Sequence, residues 1–414
     1  MSNKIKSQLQ EKEFAVLKDK HRVLLKWATG CGKSKMAIDL VNHAVSTIDK
    51  KLVKVLFVVA ERAHIKNWQE EFDKWELNTK KVSTDVCCYA SLKKYKDFSY
   101  DIIVLDEAHH VFSEKRMAAL EELKENLYPN AYIYFLSATL SFNNQYRAEE
   151  VFGKFATSTV TLKKAIQKDI LADPKIYIVA LELDDSKVNQ EILVNKADSN
   201  SPKVSWEDRM KYLTKKKPCI IQCTEKQKYI YYTNTMEYWK QRYERSKNQF
   251  QRNLWVNTGS KRKRFLGELK TGAVEQLLNI IPDNMKTVCF CTTISQAESF
   301  STNKTLSSKK SSKWNQAIIE EFNKGSIKRI YAIGMITEGM NLNGIKVGII
   351  TQLDGTERLF IQKQGRVMRS EDPVSFIFYY KNTQDENYLK KALENVDTKY
   401  IQYVNINQLK TIKL

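Results

Sequence analysis

Three short stretches combine residue types that could handle phosphate. The first, TGCGKSK, spans Thr29 to Lys35. Gly30 and Gly32 let the backbone curl, so that successive N–H groups converge on one centre. Lys33 supplies a point charge for terminal phosphates, and the Ser34 hydroxyl can ligate Mg2+. The helical stretch that follows, KMAIDLVNHAV, offers its positive N-terminal end to the same anion. The full GxxxxGK spacing is broken, because Trp27 stands where the first Gly would be. A coincidental Gly-rich turn is the alternative for this stretch alone. The second, DIIVLDEAHHVF, runs an apolar strand into Asp106 and Glu107. One carboxylate can hold Mg2+ through water while the next polarises an attacking water. His109 and His110 are adjacent and diverge on either a strand or a helix, which suits a zinc site poorly. One of them is expected to sense phosphate or bridge to LSAT, whose Ser137 and Thr139 can hydrogen-bond back to the acid strand. The third, QKQGRVMR, sets Arg366 and Arg369 three apart, on one face of a helix. Paired arginines suit a developing phosphoryl charge; two surface arginines are the equal alternative.

These groups need rigid supports. VLLKWA, VLFVVA, DIIVLD and YIYFLSA alternate with helical or loop segments, and TVCFCT, RIYAIG, VGIITQL and SFIFYY repeat the rhythm later. That is the βαβ pattern of a parallel sheet covered on both faces. The expectation is an α/β chain of two domains, residues 1–164 and 165–385, with a helical tail over 386–414. A connector and helical insert, rich in aromatic and basic residues, occupies about 184–264. Within it Tyr229, Tyr232, Met236, Trp239 and Tyr243 recur at intervals of 3 and 4, a stripe expected to face a core. Tyr231 and Tyr238 fall off that stripe and suit base stacking better.

The chain has 414 residues, 42% hydrophobic and 28% charged, with a formal net charge of +20. Such a balance points to a polyanionic partner, most often nucleic acid; a uniformly lysine-rich surface is the bland alternative. No apolar run approaches the ~18 residues of a membrane span. The polar start MSNKIKSQLQEKE does not read as a signal peptide, so a cytoplasmic protein is expected. The seven cysteines form no paired CxxC array, which favours reduced thiols over structural zinc.

Taken in order, TGCGKS, DEAH, SAT and QKQGRVMR resemble motifs I, II, III and VI of the superfamily 2 helicases and translocases. The resemblance covers roughly Gln10 to Asp385. VVAERAHIKNWQEEFDKW resembles motif Ia of the Swi/Snf-like and phage recombination-helicase branches, and CYASL the DNA-backbone motif after it. VCFCTTISQAE resembles motif IV and ITEGMNL motif V. Gln10, nineteen residues before Thr29, holds the place of an adenine-reading glutamine, with Gln8 competing. The resemblance implies two tandem RecA-like domains with ATP and Mg2+ in the cleft between them. It assigns the nucleotide to Gln10, Thr29, Gly30, Cys31, Gly32, Lys33, Ser34, Lys35, Gly339 and Gln362, and the metal to Ser34 and Asp106. It makes Glu107 the water-activating base, and brings Arg366 and Arg369 across from the second domain. His109, Ser137 and Thr139 would couple nucleotide state to domain geometry. Arg62, Tyr89, Ser91, Thr292, Thr337 and Asn341 would meet nucleic acid.

The implied function is a monomeric, ATP-driven DNA helicase or translocase of a prokaryotic or virus-infected cell. An ATP-switched clamp without unwinding and an RNA helicase are the alternatives. Two departures stand out. Ala28 replaces the proline common before the loop, and the Cys31 thiol is expected to make activity sensitive to alkylation.

Overall fold

The computed structural model describes residues 2–194, 219–333, 342–353, 367, 372–394 and 396–412, and the elements named below are those of these residues. The chain opens on α1 (Ser2–Leu17). Then come β1 (Arg22–Trp27), α2 (Lys33–Thr47), β2 (Val53–Val59), α3 (Ala63–Lys74), β3 (Val82–Cys88), β4 (Ile102–Leu105), α4 (Glu114–Glu125), β5 (Tyr132–Ser137), α5 (Phe142–Phe152), β6 (Ala156–Val160) and α6 (Leu162–Gln167). The six strands form one parallel sheet in the order β3-β2-β4-β5-β1-β6. β4 is buried at all four positions and β5 at all six. Continuous burial follows from helices covering both faces, and explains why these strands read as unbroken apolar runs rather than alternating ones. Val55, Phe57, Val59 and Trp68 belong to the core on one face, with α2; Leu56, Val58, Tyr89 and Leu120 belong to the core on the other, with α4.

The second sheet begins with β7 (Lys175–Leu181). A two-stranded antiparallel pair, β8 (Gln190–Val194) and β9 (Cys219–Cys223), follows it. Next is a helical hairpin, α7 (Glu225–Ser246) and α8 (Gln249–Leu269), leading into α9 (Thr271–Ile280). Thr224 and Gln227 form a capping box at the start of α7, and the Asn248 side chain caps α8, so the hairpin's boundaries are written in its sequence. Then come β10 (Thr287–Cys291), α10 (Ile294–Phe300), β11 (Thr305–Leu306), α11 (Ser312–Lys324), β12 (Arg329–Ile333), β13 (Val347–Ile350), β14 (Val374–Tyr380), α12 (Gln384–Leu393) and β15 (Ile401–Asn405). The sheet order is β11-β12-β10-β13-β14-β7-β15, again all parallel.

Three local expectations change. Ala165, Ile166, Ile170 and Leu171 pack into the first core, so the first unit runs past residue 164, and β7 already belongs to the second sheet. The expected helical tail does supply most of α12, but it also supplies β15, which pairs in parallel with β7 along the sheet edge. Tyr231, assigned to base stacking, is 8% exposed and clusters with Ile192 and Cys223, because α7 packs on the β8–β9 pair as well as on α8. Tyr238 stays half-buried, edge-to-face on Trp239 at 4.9 Å, with the Arg242 guanidinium 5.1 Å from its ring.

Candidate active site

β1 ends at Trp27, and the chain turns through Thr29 to Gly32 before α2 begins. Gly30 and Gly32 have φ of 95° and 92°, a left-handed region that glycine enters without steric cost. At Gly32 the requirement is double. An added Cβ would lie 2.1 Å from the Gln10 Nε2 atom. That amide donates to the carbonyls of Gly32 at 3.3 Å and Cys31 at 3.4 Å. Gln10 therefore ties α1 to the loop. Trp27, the departure from the usual spacing, has a structural role: its buried indole donates to Ser158 Oγ at 2.8 Å, and that hydroxyl donates to Glu13 of α1 at 2.7 Å. The main-chain carbonyl of Trp27 accepts from Lys33 Nζ at 3.0 Å. Cys31 is fully buried, so its thiol faces the core rather than the loop's open side, and the expected sensitivity to alkylation loses its geometric basis.

Asp106 follows β4 directly, beside the end of β2. Its Oδ2 accepts from Trp68 Nε1 at 2.9 Å and its Oδ1 from the Glu107 N–H at 2.9 Å. Burial, and next the adjoining Glu107 charge, raise the Asp106 carboxyl above the ordinary aspartate range; the Trp68 hydrogen bond and the Lys33 charge oppose this. Glu107 has φ 46°, a conformation uncommon for a side-chain-bearing residue. Its Oε2 is buried without a hydrogen bond, 3.4 Å from His109 Nδ1.

The expected coupling residues come together. His109 Nδ1 lies 3.2 Å from Ser137 Oγ. That hydroxyl gives its one proton to the Thr139 carbonyl at 3.1 Å and accepts from the Thr139 N–H at 3.2 Å. Between Ser137 and Thr139, Ala138 packs against the core of the second sheet. A line of contacts thus runs from Glu107 through His109 and Ser137 to the other domain.

In this region the buried oxygens Thr29 Oγ1, Glu107 Oε2 and Thr139 Oγ1 lack a hydrogen bond among the described residues. Burying such groups unpaired is costly, so the site suits a polar ligand that completes it. Two adjacent carboxylates, with the Lys33 charge acting on Asp106, form a donor set that fits a phosphate-bound Mg2+. Asp106 and Ser34 would hold that ion, and it would neutralise phosphate charge. Beside the loop, a cavity of about 420 Å3 is lined by Gln10, Phe14, Lys35, Asp39 and His43 among others. Phe14 and His43 meet there edge-to-face at 5.8 Å.

The expected nucleic-acid residues divide. Arg62 is exposed at the start of α3, and Ser91 is half-buried with its hydroxyl 3.3 Å from Cys88 Sγ. Tyr89 is 2% exposed with its ring inside the core, and its hydroxyl donates to the Asp106 carbonyl at 2.9 Å. Thr292 turns its hydroxyl to that of Thr351 at 3.1 Å. Thr337, Gly339, Asn341, Gln362, Arg366 and Arg369 lie outside the described residues. Sequence reasoning missed Trp68 as a partner of Asp106. Its only signal was an aromatic four residues before Phe72 on one helix face, which reads equally well as plain core.

Residues 1–96 match the family described as type III restriction enzyme, res subunit, and residues 270–371 match the helicase conserved C-terminal domain. Among solved structures, a variant of Dbp5 from S. cerevisiae bound to RNA and ADP BeF3 aligns over 98% of this chain and 91% of its own, with a TM-score of 0.62 and 10% identity. A fragment of a putative HsdR subunit of a type I restriction enzyme from Vibrio vulnificus aligns over 94% of this chain and 66% of its own, with a TM-score of 0.54 and 14% identity. At such identities the likeness concerns the fold alone. No curated protein matches the sequence.

Proposed function

We propose, for a chain that belongs to helicase superfamily 2, a motor that hydrolyses ATP to move along, unwind or remodel DNA. The observation that carries this reading is the junction of phosphate loop, paired carboxylates and the contact line from Glu107 to Ala138. Lys33 and the loop N–H groups bind the terminal phosphates, and the Gln10–Phe14 cavity takes the base. Glu107 accepts a proton from the attacking water. His109, in contact with both Glu107 and Ser137, passes the state of Glu107 to the segment that touches the second domain. Arg366 and Arg369 would approach the same phosphates from that domain.

A basic hairpin favours a polyanionic track: residues 225–269 carry eleven Lys and Arg against four Glu. DNA is preferred over RNA because the segment around α3 resembles that of DNA-acting branches, and because the helical insert suits a branched substrate. Contacts made mainly to phosphates bring steep salt dependence and little sequence preference.

The test is ATPase turnover with single-stranded DNA, forked DNA and RNA. DNA is expected to stimulate more than RNA. Lys33→Ala and Glu107→Gln are each expected to lower stimulated turnover by at least about a hundredfold, the scale for losing a group that acts on the transition state. Stimulated hydrolysis that survives Lys33→Ala would place the chemistry elsewhere. A strand-displacement assay separates a motor from a clamp: binding without displacement of a strand or a roadblock favours the clamp.

A further inference from the structure

Asp106 is gripped from both faces of the first sheet. From one core, Trp68 donates its indole N–H to the carboxylate; from the opposite core, Tyr89 donates its hydroxyl to the main-chain carbonyl of the same residue. The donors are 3% and 2% exposed. The Asp106 N–H donates to Val58 O at 2.8 Å, so its backbone is tied to β2 and the two donors act on its acceptor atoms. The same indole packs in the core, 5.0 Å from Phe57 and 5.9 Å from Phe72.

The elements that carry the donors matter. Trp68 lies six residues after the exposed Arg62, on the helix that starts there, about 9 Å along its axis. Tyr89 opens the turn that also carries Ser91. The segments that leave β2 and β3 toward solvent therefore each hold one end of the metal-side acid. With Oδ2 on the indole and Oδ1 on the Glu107 N–H, the carboxylate has one fixed orientation. A displacement of α3 moves the indole, and with it the carboxylate.

We infer that Trp68 and Tyr89 are positioning residues through which nucleic acid at the segments after β2 and β3 sets the orientation of Asp106. This rests on the motor reading above and goes beyond it by naming the atoms that transmit occupancy.

Coupling between two ligands is reciprocal and is measured as a ratio of affinities. The experiment uses the full chain, a fluorescent oligodeoxythymidylate and a fluorescent oligouridylate, each titrated with and without Mg2+ and a non-hydrolysable ATP analogue. In the wild type the analogue is expected to change oligonucleotide affinity about 5- to 150-fold. In Trp68→Phe that factor is expected to fall at least fivefold, toward one. Tyr89→Phe lowers it by less, because it frees only a main-chain carbonyl. Arg62→Ala weakens the oligonucleotide while the factor persists. A Trp68→Phe protein whose factor stays within twofold of the wild type overturns the inference, even if both ligands bind more weakly, since that marks a merely structural contact. Should Trp68→Phe fail to fold, Tyr89→Phe, which removes a single oxygen, decides by the same ratio. Absence of coupling in the wild type with both oligonucleotides defeats the motor reading itself, a different result from the first.

Discussion

The C-terminal edges of the two sheets carry polar side chains of similar kind and put them to opposite uses. At the first edge, Thr29, Glu107 and Thr139 each keep a buried oxygen without a hydrogen bond. At the second, a cluster of polar side chains around Lys270 is spent on itself, although Ser307 Oγ after β11 is buried without a hydrogen bond. Lys270 is fully buried and donates at 2.7 Å to both Gln352 Oε1 and Asp385 Oδ2, while Gln352 Nε2 donates to Asp385 Oδ1 at 2.6 Å. Gln296 donates to the Gly267 carbonyl at 2.7 Å and accepts from the Thr292 N–H at 2.9 Å. Lys270 joins α8 to α9, and Asp385 sits in the first turn of α12, so this cluster bolts the basic hairpin to the sheet. Gly267 lets the hairpin come that close, since an added Cβ would stand 2.1 Å from Thr292 Oγ1. Among the described residues, the first edge keeps unpaired oxygens that a ligand could meet, while the Lys270 cluster at the second makes a joint. Polar composition alone does not tell them apart, but the state of satisfaction of each atom does.

This contrast can be broken by experiment. The largest expected effect is on the joint. Lys270→Met strands the buried Asp385 carboxylate and should cost about 3–5 kcal/mol, read as a lower urea midpoint, and adding Asp385→Leu should recover most of it. A single variant as stable as the wild type would mean that the cluster holds nothing. Next comes ligand stabilisation at the open edge. ATP with Mg2+ at a hundredfold excess over Kd should add about 2.7 kcal/mol in a thermal melt. The same gain in Lys33→Ala would place the ligand elsewhere. The smallest effect concerns Cys31, a loop residue with the burial of a core residue. Iodoacetamide followed by peptide mass spectrometry should label it only as the protein unfolds. Rapid labelling that nucleotide blocks would open the loop's floor and blur the contrast.

Much of the first edge was legible in the sequence, because its chemistry is local. Loop, acid pair and Ser-Ala-Thr each occupy a few consecutive residues at the end of a strand, and the strand apolarity marks where they stand. The contact of His109 with Ser137 follows once β4 and β5 are neighbours. Trp68 on Asp106 was not legible, because an aromatic on a buried helix face gives the same pattern whether or not its N–H has a partner. The joint was still less so. Lys270 and Asp385 are 115 residues apart, and no periodicity links them. β15 also escaped notice. Its burial is only partial and Tyr403 is 63% exposed, as befits an edge strand whose outer side faces water.

The pairing of β15 with β7 has a temporal side. Synthesis delivers every strand of the first sheet by Val160, so that sheet can close while most of the second is still unmade. β7 emerges next, yet its two neighbours are β14 and β15. The interval from Leu181 to Val374, where β14 begins, takes the ribosome roughly 10–40 s at usual elongation rates. For that time β7 has both edges open, a template for the wrong strand. A chaperone that shields nascent chains would find its purpose in that window.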